Sequence, residues 1–194
     1  MTDIRKDKPA LLIIDMVKDY FDESHQIPLT QMAKAVITPL NRLIAVFRDQ
    51  DWPIVFSTDS FKIEDFFFTS KMKPHAITGT PGAEVIDELD KTPRDYWLPK
   101  PRMSAFFKTG LETWLKERQV TLCAVAGIAT PYCVLTTVLD ALNHDFKAVL
   151  LEDCSAAASQ KAHENTLDTY RRNVLYPLLR VLPSAELAAE LKGE

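Results

Sequence analysis

The sequence predicts an α/β protein: a six-stranded parallel sheet with helices on both sides, in three layers, α/β/α. Three observations lead there. Six short apolar runs of strand length alternate with stretches whose apolar residues recur at helical spacing. The first run, Leu11-Leu12-Ile13-Ile14, is continuous rather than alternating, as in a strand buried on both faces of a parallel sheet. Several runs stop at a charged residue, Asp15, Asp59 and Lys100 among them, on the edge where open parallel sheets gather their chemistry. A chain of 194 residues, 46% hydrophobic and 26% charged, with no linker, repeat or low-complexity stretch, suits one domain over 1–194.

The first strand runs from Pro9 to Asp15, and Met16 to Gln26 reads as a loop with Tyr20 and Phe21 as pocket walls. Thr30 to Arg48 repeats apolar residues at Met32, Val36, Ile37, Leu40, Leu43, Ile44 and Phe47, an amphipathic helix that Pro39 must kink or split. The second strand is Pro53 to Asp59. Phe61 to Pro81 is a long connection with little periodicity, the kind that serves as a binding loop or lid. Its Phe66-Phe67-Phe68 run suits ordinary packing, the cover of an apolar pocket, or a subunit contact. A short helix is expected over Gly82–Leu89, a third strand over Asp95–Lys100 and a helix over Leu111–Arg118. Thr121 to Ala126 is the fourth strand, Phe146 to Asp153 the fifth and Leu178 to Leu182 the sixth. Lys161 to Arg172 is helical, and Ser184 caps a last helix, Ala185 to Leu191, that Gly193 stops.

Between the fourth strand and its helix lies Gly127-Ile128-Ala129-Thr130-Pro131-Tyr132-Cys133. Thr130 is a good N-cap and Pro131 fits the first helical position, which puts Cys133 at about the third. Unpaired N–H groups and the helix dipole favour ionisation of a thiol there, and a thiolate attacks carbonyls. A buried packing cysteine fits the same local pattern.

The bulk composition excludes several classes. A net charge of −4 with no basic cluster argues against nucleic acid or an anionic membrane as partner. No apolar run is long enough to span a bilayer, and the charged start lacks a signal-peptide core. Three cysteines without metal-type spacing argue against a disulfide framework or structural zinc, so a reducing cytoplasm is expected. Neither a G-x-G-x-x-G after the first strand nor a P-loop is present, which leaves dinucleotide and P-loop cofactors unsupported.

Asp15, Lys100 and Cys133 thus stand at three strand ends that the sheet would bring together. With Leu12-Ile13-Ile14-Asp15-Met16, Lys100 followed by Ser104-Ala105-Phe106-Phe107, Gly127-Ile128-Ala129-Thr130 with Cys133, Leu139-Asp140-Ala141 and Glu152-Asp153-Cys154-Ser155-Ala156, the chain resembles the isochorismatase-like cysteine hydrolases, the superfamily of nicotinamidases and N-carbamoylsarcosine amidases. The resemblance implies a Rossmann-like isochorismatase-like hydrolase fold, commonly dimeric or tetrameric. It implies that Cys133 attacks a small amide to form a thioester, that Asp15 moves the proton, and that Lys100 favours their charged forms. It also implies a cis peptide between Ile128 and Ala129, an oxyanion hole from the Ala129 and Cys133 N–H groups, and a substrate pocket taking in Phe21, Phe66 and Tyr132.

The chain departs from nicotinamidases at their metal site, an Asp-x-His plus a later histidine. Asp59 and His75 remain, but Phe61 stands where the first histidine belongs. Two ligands rarely hold zinc, so the expectation is no cofactor, with His75 hydrogen-bonded to Asp59; zinc on Asp59 and His75, with Glu64 or Asp65 folding in, is the alternative. A cysteine at position 133 argues for an amide or carbamoyl substrate rather than the vinyl ether of isochorismatases proper. A metal-free carbamoyl amidase, another acyl hydrolase, or a silent binding member of the fold are the competing readings.

Overall fold

The computed structural model describes residues 7–25 and 27–193. Six strands form one sheet: β1 (Pro9–Ile14), β2 (Ile54–Asp59), β3 (Tyr96–Lys100), β4 (Leu122–Ile128), β5 (Lys147–Ala156) and β6 (Leu179–Leu182). Their order is β3-β2-β1-β4-β5-β6 and every pairing is parallel, as the alternating pattern requires. The helices are α1 (Lys18–Phe21), α2 (Pro28–Ala35), α3 (Ile37–Asp49), α4 (Leu111–Glu117), α5 (Leu135–Asn143), α6 (Gln160–Arg171) and α7 (Ser184–Lys192).

Side-chain alternation along β1 divides the core in two. Leu11 and Ile13 pack with Leu40, Ile44 and Phe47 of α3 and Leu187 of α7. Leu12 and Ile14 face the other way, toward Leu111 and Leu115 of α4, Val138 of α5 and Leu167 of α6. Each fully buried leucine among these contributes about 1.5–3 kcal/mol of transfer free energy. The sheet order reverses between β1 and β4. Such a switch point opens a crevice at the carboxyl ends of the strands, where Asp15 and the Gly127–Cys133 turn lie.

Gly127 makes that junction possible. Its φ is +107°, and an added Cβ would lie 2.1 Å from the Ile14 carbonyl oxygen, a backbone atom that cannot swing away. Gly127→Ala is therefore expected to cost on the order of 3 kcal/mol, read as a lower urea midpoint, through both the left-handed φ and the overlap.

Several boundaries differ from the sequence reading, each for a local reason. The amphipathic stretch splits at Val36, and Pro39 falls in the first turn of α3, where its missing N–H costs nothing. Residues 82–89 do not form the expected helix; only Pro81–Ala83 makes a short 3₁₀ turn. There Val85 bridges Val17 and the Ile86 N–H donates to the Met16 carbonyl at 3.0 Å. The helical spacing of Val85, Ile86 and Leu89 thus reflects burial against the end of β1. The stretch after β1 is not all loop, since α1 and a 3₁₀ turn at Glu23–His25 occupy it; Gln26 lies outside the described residues. Ser184 does not cap α7. It is the first helical residue, Pro183 holds the cap position, and the Ser184 hydroxyl donates to Asp153 at 2.6 Å.

Candidate active site

Asp15 follows the last residue of β1 with φ +54°, a left-handed conformation uncommon for a residue with a side chain. It is 1% exposed, and its N–H donates to the Ser57 carbonyl of β2. One carboxylate oxygen accepts from the Asp59 N–H at 2.7 Å, and the other lies 2.8 Å from the Lys100 Nζ. Asp59 and Lys100 are opposite each other in the β2–β3 register and form a second buried ion pair. The ammonium also donates to the Arg102 carbonyl at 3.1 Å. One fully buried cation is thus held among two carboxylates and a backbone oxygen.

Cys133 reaches this cluster from the other side of the switch point. Its sulfur and the Asp15 and Asp59 carboxylate oxygens lie within 4.8 Å of one another. The turn that carries it differs from expectation. Thr130–Val134 is a wider, π-type turn, with the Val134 N–H reaching back to the Ala129 carbonyl. Such turns are frequent at functional sites. Ala129, not Thr130, holds the cap position, because the Thr130 hydroxyl bonds sideways to His163 Nδ1 at 2.8 Å. The Ile128–Ala129 peptide is cis.

Electrostatics overturn one further expectation. Burial pushes the Cys133 thiol well above its ordinary pKa; Lys100 opposes this, but Asp15 and Asp59 add to it. The free thiol is therefore neutral, and the helix start does not make it a resting thiolate. Asp15 is pushed up to about 7, first by burial and then by the charge of Asp59, with Lys100 pulling the other way. Burial works against the Lys100 charge, but Asp15 and Asp59 outweigh it and hold the ammonium protonated.

The family model described as the Isochorismatase domain matches residues 9–179. The chain belongs to the isochorismatase family of hydrolases. It is 33% identical over 184 residues to a probable inactive nicotinamidase of Arabidopsis thaliana, covering 88% of this chain and 92% of that protein. The crystal structure of N-carbamoylsarcosine amidase from Thermoplasma acidophilum superposes with a TM-score of 0.79 at 29% identity, over 91% of this chain and 96% of that one. Pyrazinamidase of Pyrococcus horikoshii in complex with zinc gives 0.78 at 25%, over 91% and 99%.

The residues of this isochorismatase-family chain do not make a zinc site around Asp59 and His75. Phe61 is 1% exposed, offers no donor atom and packs edge-on to the His75 ring. The expected Asp59–His75 hydrogen bond is not formed. The Tyr20 hydroxyl stands between them, 3.1 Å from Asp59 and 2.7 Å from His75 Nε2. The remaining Asp59 oxygen is committed to Lys100. Among the described residues, the group that gathers enough donors is Asp15, Asp59 and Cys133, and Lys100 already occupies its centre of charge.

The expected pocket residues differ in exposure. Tyr132 neighbours Cys133 in the same turn and is 62% exposed; Phe66 is 71% exposed and touches Phe67; Phe21 is half-buried against the core. The Phe66–Thr69 segment is a 3₁₀ turn whose Phe67 and Phe68 pack on the buried Phe61. Sequence reasoning missed Asp59 as a partner of Lys100. Two carboxylates at the ends of neighbouring strands beside a strand-end lysine were the available signal.

Proposed function

We propose that the protein is a cysteine amidohydrolase that cleaves the C–N bond of a small amide through a thioester, with Asp15, Lys100 and Cys133 as its catalytic groups and no metal. The observation that carries the reading is the convergence at one sheet edge of the Cys133 sulfur, within 4.8 Å of the Asp15 carboxylate, and the Lys100 ammonium, 2.8 Å from that carboxylate. As sulfur bonds to the amide carbon, the thiol proton passes to Asp15 and the carbonyl electron pair moves onto oxygen. The N–H groups of Ala129 and Cys133 receive that oxyanion; losing one such donor costs about 3 kcal/mol. The tetrahedral species collapses, the C–N bond breaks, and Asp15 returns its proton to the departing amine or ammonia. Water then attacks the thioester with Asp15 again as base, releasing the acid and the thiol. Lys100 stays protonated throughout and offsets the negative charge that Asp15 and Asp59 bring to the site.

The pH profile tests this assignment. Asp15 must be ionised to act as base, so kcat/KM is expected to fall as pH drops below about 7. Asp59→Asn removes a charge that raises the Asp15 pKa, and the acid limb should move to lower pH. A limb that stays in place in that variant would remove Asp15 from the role.

A zinc-free pocket makes nicotinamide a poor candidate and favours carbamoyl or other small amides. Ammonia release from a panel of amides, with and without added zinc, separates these; nicotinamide turnover that rises with zinc would overturn the metal-free reading. The silent binding alternative predicts no turnover at all. Iodoacetamide should label half-buried Cys133 ahead of the buried Cys123 and Cys154, and equal sluggishness at all three would favour the silent reading.

A further inference from the structure

We infer that Thr130 and His163 act as a pair of positioning residues for the turn that carries Ala129 and Cys133. The inference rests on the cysteine-hydrolase reading and extends it to two side chains with no proposed contact to substrate. Thr130 is the first residue of the π-type turn and directly follows Ala129, the proposed oxyanion donor. It is 0% exposed, and its hydroxyl meets His163 Nδ1 at 2.8 Å. His163 projects from the first turn of α6 and is 7% exposed.

The proton inventory follows from the partners. Burial lowers the His163 pKa, so the ring is neutral and carries one N–H. With that proton on Nε2, Nδ1 accepts from the Thr130 hydroxyl. The imidazole thereby ties α6 to the turn. That tie has a purpose here because Ala129, at the cap position, has no side-chain hydrogen bond to fix the start of the turn. A threonine at a helix start ordinarily spends its hydroxyl on the helix; this one spends it on a neighbouring element. Without His163 the buried hydroxyl loses its partner, and the Ala129 N–H is free to drift from the position an oxyanion requires.

The test uses p-nitrophenyl acetate as the acyl probe. Cys133 sulfur bonds to the acetyl carbon, the ester C–O bond breaks, and the thiol proton leaves on p-nitrophenol by way of Asp15; the burst of p-nitrophenol reads the acylation rate. Thr130→Val, which keeps the shape and removes the hydroxyl, should slow acylation on the order of 10–100-fold. Thr130→Ser should acylate at close to the native rate. His163→Leu should match Thr130→Val, His163→Asn should recover much of the loss by restoring an acceptor, and the double variant should be no slower than the slower single one. Alkylation of Cys133 by iodoacetamide builds no oxyanion and should keep its native rate in all of them. If His163→Leu does not fold, the Thr130 pair decides. A native burst with Thr130→Val acylating as fast overturns the inference. So does a parallel fall of acylation, alkylation and melting temperature, which marks mere structural damage. A native protein that gives no burst, or one that Cys133→Ala does not abolish, overturns the hydrolase reading beneath it.

Discussion

Cys133→Ala is expected to fold normally and to lose hydrolysis by about 10⁴-fold or more, since removal of an attacking atom costs whatever covalent catalysis supplied. Folding should survive because the residue is half-buried and sits in a turn fixed by its neighbours. Ammonia release and the p-nitrophenyl acetate burst measure the loss, and a thermal melt measures the fold. Cys133→Ser is the sharper variant. It keeps an O–H able to bond Asp15 but supplies a far weaker nucleophile, so it should fail nearly as badly. Retention of most activity by either variant would break the thioester mechanism.

Lys100→Met is expected to damage stability and activity together. The ammonium is fully buried between Asp15 and Asp59, so its removal leaves two carboxylates facing each other out of water. Breaking a buried pair in this way costs about 3–5 kcal/mol. Asp15 also loses the group that pulls its pKa down, so it should be protonated at neutral pH and unable to take a proton from Cys133. The stability loss should depend on pH with a definite sign. A carboxyl whose folded pKa is raised gives stability that is present below its ordinary 3.8 and is lost as pH rises through the folded value. In the native protein that window runs from 3.8 to about 7; in Lys100→Met it should extend upward, so the variant is least stable at alkaline pH. Urea midpoints across pH would show this, and a deficit that is flat or shrinks with rising pH would contradict the electrostatic account.

The parts of the fold legible in the sequence were those fixed by periodicity. The uninterrupted apolar run before Asp15 and the strand–turn–helix around Cys133 are short-range signals, and the parallel sheet follows from their alternation. The convergence of Asp15, Lys100 and Cys133 was legible for the same reason, because strand ends share one edge. What hid was whatever depends on which atoms meet across that edge. The sequence pairs Asp59 with His75, or with a zinc ion as the alternative, since nothing local says that it faces Lys100 in the next strand. Tyr20 was placed as a wall, since its hydroxyl finds Asp59 and His75 only after α1 folds beside β2. The thiol was expected to ionise easily, since the helix start is visible in sequence and the surrounding desolvation is not. The short helix expected over Gly82–Leu89 is absent because that stretch instead bridges the residues just after β1.

Two of the strands at this edge, β1 and β4, are apolar and buried along their whole length. Hydrocarbon of that kind is a poor ruler, because a strand displaced by two residues would bury nearly as much of it. Asp15, Asp59 and Lys100 are a good ruler, since a shifted strand would strand a cation in oil. The same ions that the chemistry would use are thus the alignment marks of the sheet, and a misaligned chain would be betrayed first by its charges.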